Sequence, residues 1–498
     1  MAVSLKASLG VNFAGRFWAG IVGFIATPLY LKWLGVEAYG LVGFYLLLQA
    51  VTGFFGAGLT SAANREIAAE SPRAGGNLAA KLVGFGRTAW ALGLILGLGV
   101  GLSSEWLATH WLTVDRISPD AARRSILLMA PLLALQVPLD FYVGALQGMH
   151  RPALANLTMA GTATARALAG VLGLIFWTPT IETFFWSQLL ASLGLVLACE
   201  LWVRPVGHWW RGPMPWANLR QSFRFSAGMT AVAFTGMVLS QTDRVVLSRA
   251  LRLEDFALYA LATTLANLLY NLIAPVQATY YPEFSRQVAA SQSSRLAAIY
   301  HQACQRMAVV VMPAGAVMLF FARDLLALWT GRPDYAAKAA PAVMLLVGSR
   351  MISGLNSLPY ALQYAYGYTS LVLKTNLVSI GVFIPLLYVL AQKFGAVGAA
   401  GGYLLLSLPF LVVIVWRTHR RLLPGEAGRW LWQDTAPPLG LALLTAGIMK
   451  WLQPADLNRP GQLLWLLLAS ATTLGLVVAV NPASRAQLRT AWQRRHLA

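Results

Sequence analysis

Arg16, Arg87, Arg151, Arg166, Arg350, Asp140, Asp243 and Arg244 lie inside or beside long apolar runs, where a charge needs a reason. At a bilayer centre a charged side chain costs about 2.5–3.5 kcal/mol on insertion scales, so it must find a partner or a wet cavity. Arg166 and Arg350 fall near the middle of their runs. An arginine stays charged in apolar surroundings, and its planar fork donates paired hydrogen bonds to phosphate or carboxylate. The two are therefore candidate ligands for an anionic cargo, with Arg16, Arg87 and Arg151 placed to form an entrance. A structural ion pair with Asp140 or Asp243 explains the same arginines equally well. Asp243 and Arg244 are adjacent, so on a helix they point about 100° apart and do not simply cancel each other. Asp243 is a candidate for binding a coupling H⁺ or Na⁺, or for pairing with another helix, and so is Asp140 beside Pro138 and Phe141.

The chain that must position these residues is unlike a soluble one. Of its 498 residues 57% are apolar and 11% charged, against about 25% charged in soluble domains. Too few polar groups remain to cover a globular surface, so lipid has to be the solvent. With about 20 apolar residues needed per crossing, the composition supplies about 14 helices. The net charge of +20 invites a nucleic-acid reading, but Lys and Arg also collect on cytoplasmic loops of membrane proteins. No nucleic-acid partner is expected. Cys199 and Cys304 sit in or beside apolar runs and form no disulfide framework. The first thirty residues carry Arg16 and lack a small-residue cleavage site, so they read as a span and not as a leader.

The strongest internal order is a repeat. The segment from Pro28 to Glu66 is an apolar run, a turn around Leu34 to Gly40, and a second apolar run. A displaced copy pairs Leu34 with Leu251, Glu37 with Glu254, Tyr39 with Phe256 and Glu66 with Glu283. One helical hairpin is used twice. The expected architecture is all-α and polytopic, with about 14 transmembrane helices in two parallel-repeat six-helix lobes and a final pair. Residues 1–203 form an N-lobe, 204–224 an amphipathic connector rich in Trp and Arg, and 225–421 a C-lobe. Two further spans occupy 430–482, and 483–498 is a basic tail. Within the N-lobe, Gly93, Gly97 and Gly101 have the small-xxx-small spacing that lets helices approach. Most of the 38 Lys and Arg fall inside when the N-terminus is cytoplasmic, and an even number of spans returns the C-terminus to the same side. Parallel repeats of this kind place cargo between the halves.

The residues LGVEAYGL after the first span, Gln241-Thr242-Asp243-Arg244, ALQGMHRPALAN, Tyr281-Pro282-Glu283-Phe284 and Phe394-Gly395-Ala396-Val397-Gly398 resemble the polysaccharide transporters of the multidrug/oligosaccharidyl-lipid/polysaccharide exporter superfamily, including Wzx-type O-antigen flippases. The resemblance runs through about Arg421; the last two spans are the family's optional pair. It implies a V-shaped, MATE-like transporter in the bacterial inner membrane. Its cargo would be an undecaprenyl-pyrophosphate-linked glycan moved from the cytoplasmic to the periplasmic leaflet. A polymerase and a chain-length regulator would be its companions in polysaccharide assembly. No cofactor is implied beyond a coupling H⁺ or Na⁺.

Three rivals are weighed against this reading. A cation-coupled multidrug exporter of the same superfamily shares the fold, but the first span here has Arg16 and no carboxylate. A lipid II flippase also has fourteen spans, yet its arginine-rich first-span signature is not matched. A membrane polymerase or ligase needs a large outer loop with catalytic residues, and the longest expected outer loop runs only from Ser103 to Arg124. The histidines at 110, 150, 208, 301, 419 and 496 are read as scattered, with no triad or metal cluster. No P-loop motif is present.

Overall fold

The structure, a computed structural model, describes residues 5–70, 78–203 and 234–481. The connector 204–224, Arg73 and the tail 483–498 lie outside the described residues, as does the side chain of Arg16. In lipid a backbone must satisfy its own hydrogen bonds, so apolar runs of this length can fold only as helices. They do so, and among the described residues there is no strand beyond one isolated bridge between Thr113 and Arg252. The chain divides into two compact units, Met1–Ala260 and Leu261–Ala498.

Unit 1 begins with α1 (Leu5–Leu34) and α2 (Val36–Glu70), followed by α3 (Leu78–Leu102). After short helical turns over Ser104–Trp111 come α4 (Pro119–Gly148), α5 (Pro152–Phe176), α6 (Ile181–Val203) and α7 over 234–250. Helix α8 (Leu253–Ala266) crosses the division between the units. In unit 2 it is continued by α9 (Leu268–Ala289), α10 (Ser293–Phe320), α11 (Ala322–Thr330) and α12 (Pro333–Ala365). The long run Thr369–Arg421 breaks at Gly395 (φ 58°, ψ −137°), giving α13 before it and α14 after it. Phe383 stacks on Tyr403 at 4.7 Å, so these two helices return on each other. The unit ends with α15 (Ala436–Trp451) and α16 (Arg459–Val480).

Among the described residues the expected apolar runs fall on helices; residues 225–233, the start of the expected seventh span, lie outside them. Among the described residues nine helices are long and apolar enough to cross a membrane, with the pair across Gly395 counted once. The apolar run over 306–328 reads from sequence as one span, and the structure divides it between α10 and α11. The helix stops at Phe320, Phe321 leaves helical geometry (ψ 21°), and α11 is a separate short helix capped by left-handed Gly331.

The hairpin turn is made by Gly35 at φ +81°, a left-handed conformation that glycine reaches without strain. Gly40 and Gly43 then let the start of α8 dock on α2. A Cβ on Gly40 would lie 2.5 Å from the Leu253 carbonyl oxygen, and one on Gly43 would lie 3.1 Å from Ala260. The original hairpin and its copy thus meet at their turns. The expected glycine stripe of α3 works the same way against α4: a Cβ on Gly93 or Gly97 would lie 2.2 or 2.6 Å from a backbone oxygen of Ala134 or Ala130.

The repeated glutamates have structural work. Buried Glu37 accepts the backbone N–H of Asp115 at 2.6 Å and of Arg116 at 2.9 Å, pinning the segment before α4. Its counterpart Glu254 reaches the Arg116 side chain at 4.0 Å. Each of the other repeated pair takes a neighbouring arginine, Glu66 from Arg65 and Glu283 from Arg286. Hydrogen bonds to charged groups each contribute about 1.5–3 kcal/mol. Glu37→Ala is therefore expected to lower stability by about that amount, read as a lower thermal midpoint of the detergent-purified protein. The Glu254–Arg116 pair, at 4.0 Å and with an exposed arginine, should itself contribute less than about 1 kcal/mol.

Candidate functional site

Unit 1 contains a cavity of about 380 Å³ between α1, α2, α5 and α6, and Arg166 of α5 lines it. The guanidinium is positioned from two sides. Its Nε donates to Ser192 Oγ of α6 at 2.9 Å, and Nη1 donates to Gln136 Oε1 of α4 at 3.1 Å. Gln136 also accepts from Gln49 of α2 and donates to Asp140 at 2.9 Å. Gln188 closes the network by donating to the Arg166 carbonyl at 2.7 Å. The central arginine and Asp140 are thus linked through a glutamine, and no carboxylate among the described residues ion-pairs with Arg166. Nη2 of Arg166 is buried without a hydrogen-bond partner, and so is the hydroxyl of Tyr45, another residue of the cavity wall. Tyr30, Tyr39 and Thr27 add hydroxyls to the same wall. A cation with an open N–H, ringed by hydroxyls and amides in a low-dielectric setting, is chemistry suited to an anionic oxygen.

Arg350 is placed differently. It is 9% exposed, donates to Asn267 Oδ1 at 3.2 Å, and stacks over Tyr270 at 4.9 Å and Tyr403 at 5.4 Å. Unit 2 has its own cavity of about 360 Å³, and its wall includes Tyr270 but not Arg350. The arginine stands behind the aromatic residue that faces the cavity.

The remaining expected residues are dispersed. Arg87 is half-buried on α3, and exposed Arg151 precedes α5. Asp243 is 2% exposed and accepts the hydroxyl hydrogen of Tyr259 at 2.6 Å, a helix-pairing contact between α7 and α8. Arg244 beside it is half-buried. None of these four lines the cavity around Arg166.

One cluster corrects the view of the histidines as scattered. His301 of α10 is 1% exposed. Its Nδ1 faces Asp434 and its Nε2 lies 2.9 Å from Glu426. Gln305 donates to the other Asp434 oxygen at 2.8 Å. More than a hundred residues separate His301 from these carboxylates, so spacing gave no hint. At the far end of the same helix pair, Lys450 reaches Asp324 at 2.6 Å. Helix α15 is thus held near both its ends, to α10 through the segment before it and to α11 through Lys450. The amides Gln49, Gln136 and Gln188 carry no charge to mark them inside their apolar runs. Neutral amides there are uncommon enough to have flagged the site.

Comparison with known proteins bears on the family and the fold. A family model described as polysaccharide biosynthesis protein matches residues 5–288. A protein of Shigella flexneri described as a candidate O-antigen transporter is 19% identical over 387 residues, covering 76% of this chain and 88% of its own. Among solved structures, the inward closed conformation of the lipid II flippase MurJ superposes with a TM-score of 0.76 at 12% identity, covering 94% of this chain and 98% of that one. An inward-facing multidrug resistance MATE transporter gives 0.63 at 14% identity, covering 80% and 95%. These likenesses show a shared fold. With the family model spanning more than half its length, the chain belongs to the polysaccharide biosynthesis protein family, a group of multi-pass membrane transporters and not enzymes, and it has the fold of the multidrug/oligosaccharidyl-lipid/polysaccharide exporters.

Proposed function

We propose that the protein is a flippase. It moves an undecaprenyl-pyrophosphate-linked oligosaccharide, an O-antigen or exopolysaccharide repeat unit, from the cytoplasmic to the periplasmic leaflet of the bacterial inner membrane by alternating access. The observation that carries this reading is Arg166, a cation lining a cavity within apolar helices, with a buried N–H donor unused and no ion pair to a carboxylate among the described residues. A pyrophosphate oxygen supplies the missing acceptor, while the hydrocarbon tail stays in lipid. The Shigella relative's description points the same way. Both termini are cytoplasmic in this reading, which follows the Lys and Arg bias of the loops.

The energetics are compatible with an anionic cargo. An inside-negative potential favours outward movement by about 2.3 kcal/mol per charge at 100 mV. Where an H⁺ or Na⁺ is coupled, Asp140 is the better-placed carboxylate of the two considered. Gln136 joins it to Arg166, whereas Tyr259 seals Asp243. Depletion of the protein tests the reading. Lipid-linked oligosaccharide should accumulate on the inner leaflet, inaccessible to a glycan-modifying enzyme added outside spheroplasts. An unchanged leaflet distribution, with altered sensitivity to cationic drugs, would instead identify a drug exporter.

A further inference from the structure

The cavity of unit 2 has a chemistry of its own. It lies between α9, α12, α13 and α14, and none of its lining residues carries a charge at neutral pH. Its polar groups are amides and hydroxyls, from Gln277, Asn356, Asn376, Ser353, Ser357 and Ser407. Such groups are costly to place within apolar helices unless each finds a partner. Asn356 is 5% exposed, yet its side-chain carbonyl accepts no hydrogen bond among the described residues. That is an acceptor waiting for a donor.

The remaining wall is aromatic. Tyr360 and Tyr364 are four residues apart on α12, hence on one face. Their rings lie 6.4 Å apart at 25°, and Phe410 of α14 stands 5.9 Å from Tyr360. Tyr270 is held from behind by the Arg350 guanidinium. An ionic ligand would find no counter-charge here, and a purely apolar one would leave the amides and hydroxyls unpaired. A polyol presents hydroxyls that both donate and accept, which amides can meet in pairs. Its ring C–H groups can lie against aromatic faces. The volume sits at the small end of ligand cavities, which span about 300–1,000 Å³, and suits a short saccharide.

We propose that this cavity is a binding site for an uncharged sugar unit, with Tyr360, Tyr364 and Phe410 as the stacking wall and Asn356 as a hydroxyl acceptor. The inference rests on the flippase reading and adds to it. What it adds is a place for the glycan within unit 2.

The test uses the full chain in nanodiscs and two probes, undecaprenyl pyrophosphate and the same lipid carrying a single N-acetylhexosamine. Wild type is expected to bind the glycosylated lipid about tenfold more tightly, the gain of one good hydrogen bond with stacking. Asn356→Leu and Tyr360→Leu should each remove that gain while leaving affinity for the bare lipid within about twofold, which also shows that they fold. Tyr360→Phe keeps the stacking face and should retain most of it. The proposal is overturned if sugar adds nothing in wild type, if both leucine variants keep the gain, or if both lose the bare lipid to the same extent as the glycosylated one. Wild type that binds neither lipid overturns the flippase reading itself, a result distinct from loss of the sugar increment alone.

Discussion

Arg166→Ala is expected to abolish surface polysaccharide while the protein inserts and accumulates at its normal level. The local structure explains why the loss should be functional. Without the guanidinium, Gln136 keeps its bond from Gln49, Ser192 keeps its bond to the Gln188 carbonyl, and Gln188 still donates to the residue 166 carbonyl. The helices therefore stay pinned, and what disappears is the cation and its open N–H. A charge-assisted hydrogen bond contributes about 1.5–3 kcal/mol, so cargo affinity should fall by about 10- to 100-fold. Arg166→Lys restores the charge but not the fork. A single ammonium replaces donors aimed at Ser192, Gln136 and the cavity, so partial recovery is the expected outcome. Surface polymer measured on gels beside an immunoblot of the membrane fraction decides the matter. Retained polymer at normal protein level would remove Arg166 from the site.

Much of this molecule was readable from its residues, and the reasons differ by feature. Helix number follows from length and apolarity, since lipid leaves the backbone no alternative. The first hairpin turn was legible around Gly35, and so was the stripe that seats α3 on α4. Burial was not legible. Helices α4 and α5 are both apolar enough to span, yet 67% of the apolar window is buried in α4 and 11% in α5. Against lipid, hydrophobicity no longer separates core from surface, and only small or polar residues betray an interface. The site shows the same limit. Arg166 stood out as a charge, but nothing in the order of residues brings Gln49, Gln136 and Ser192 to it. Arg350 stood out equally, and folding placed it behind Tyr270 instead of on the cavity wall.

The largest structural loss is expected at the cluster that fastens the final helices. Asp434 is fully buried, and both of its oxygens are engaged, by His301 and by Gln305. His301 faces carboxylates with both ring nitrogens, so the ring ties α10 to Glu426 and to Asp434 at once. Asp434→Ala leaves that ring buried with one partner gone and takes an acceptor from the Gln305 amide. Removing one partner here costs about 1–3 kcal/mol for each buried group left unsatisfied, and more where that group is charged. The joint expected to open is the segment before α15, since Lys450 and Asp324 still hold the opposite end. A lower thermal midpoint, with new protease cleavage between Arg421 and Ala436, is the expected signature. The double variant His301→Leu with Asp434→Leu removes both members together and should recover most of the loss, as apolar replacements of buried pairs commonly do. A single variant as stable as wild type, or a double variant worse than the single, would mean that apolar packing of α15 and α16 on α10 holds these helices without the ion cluster.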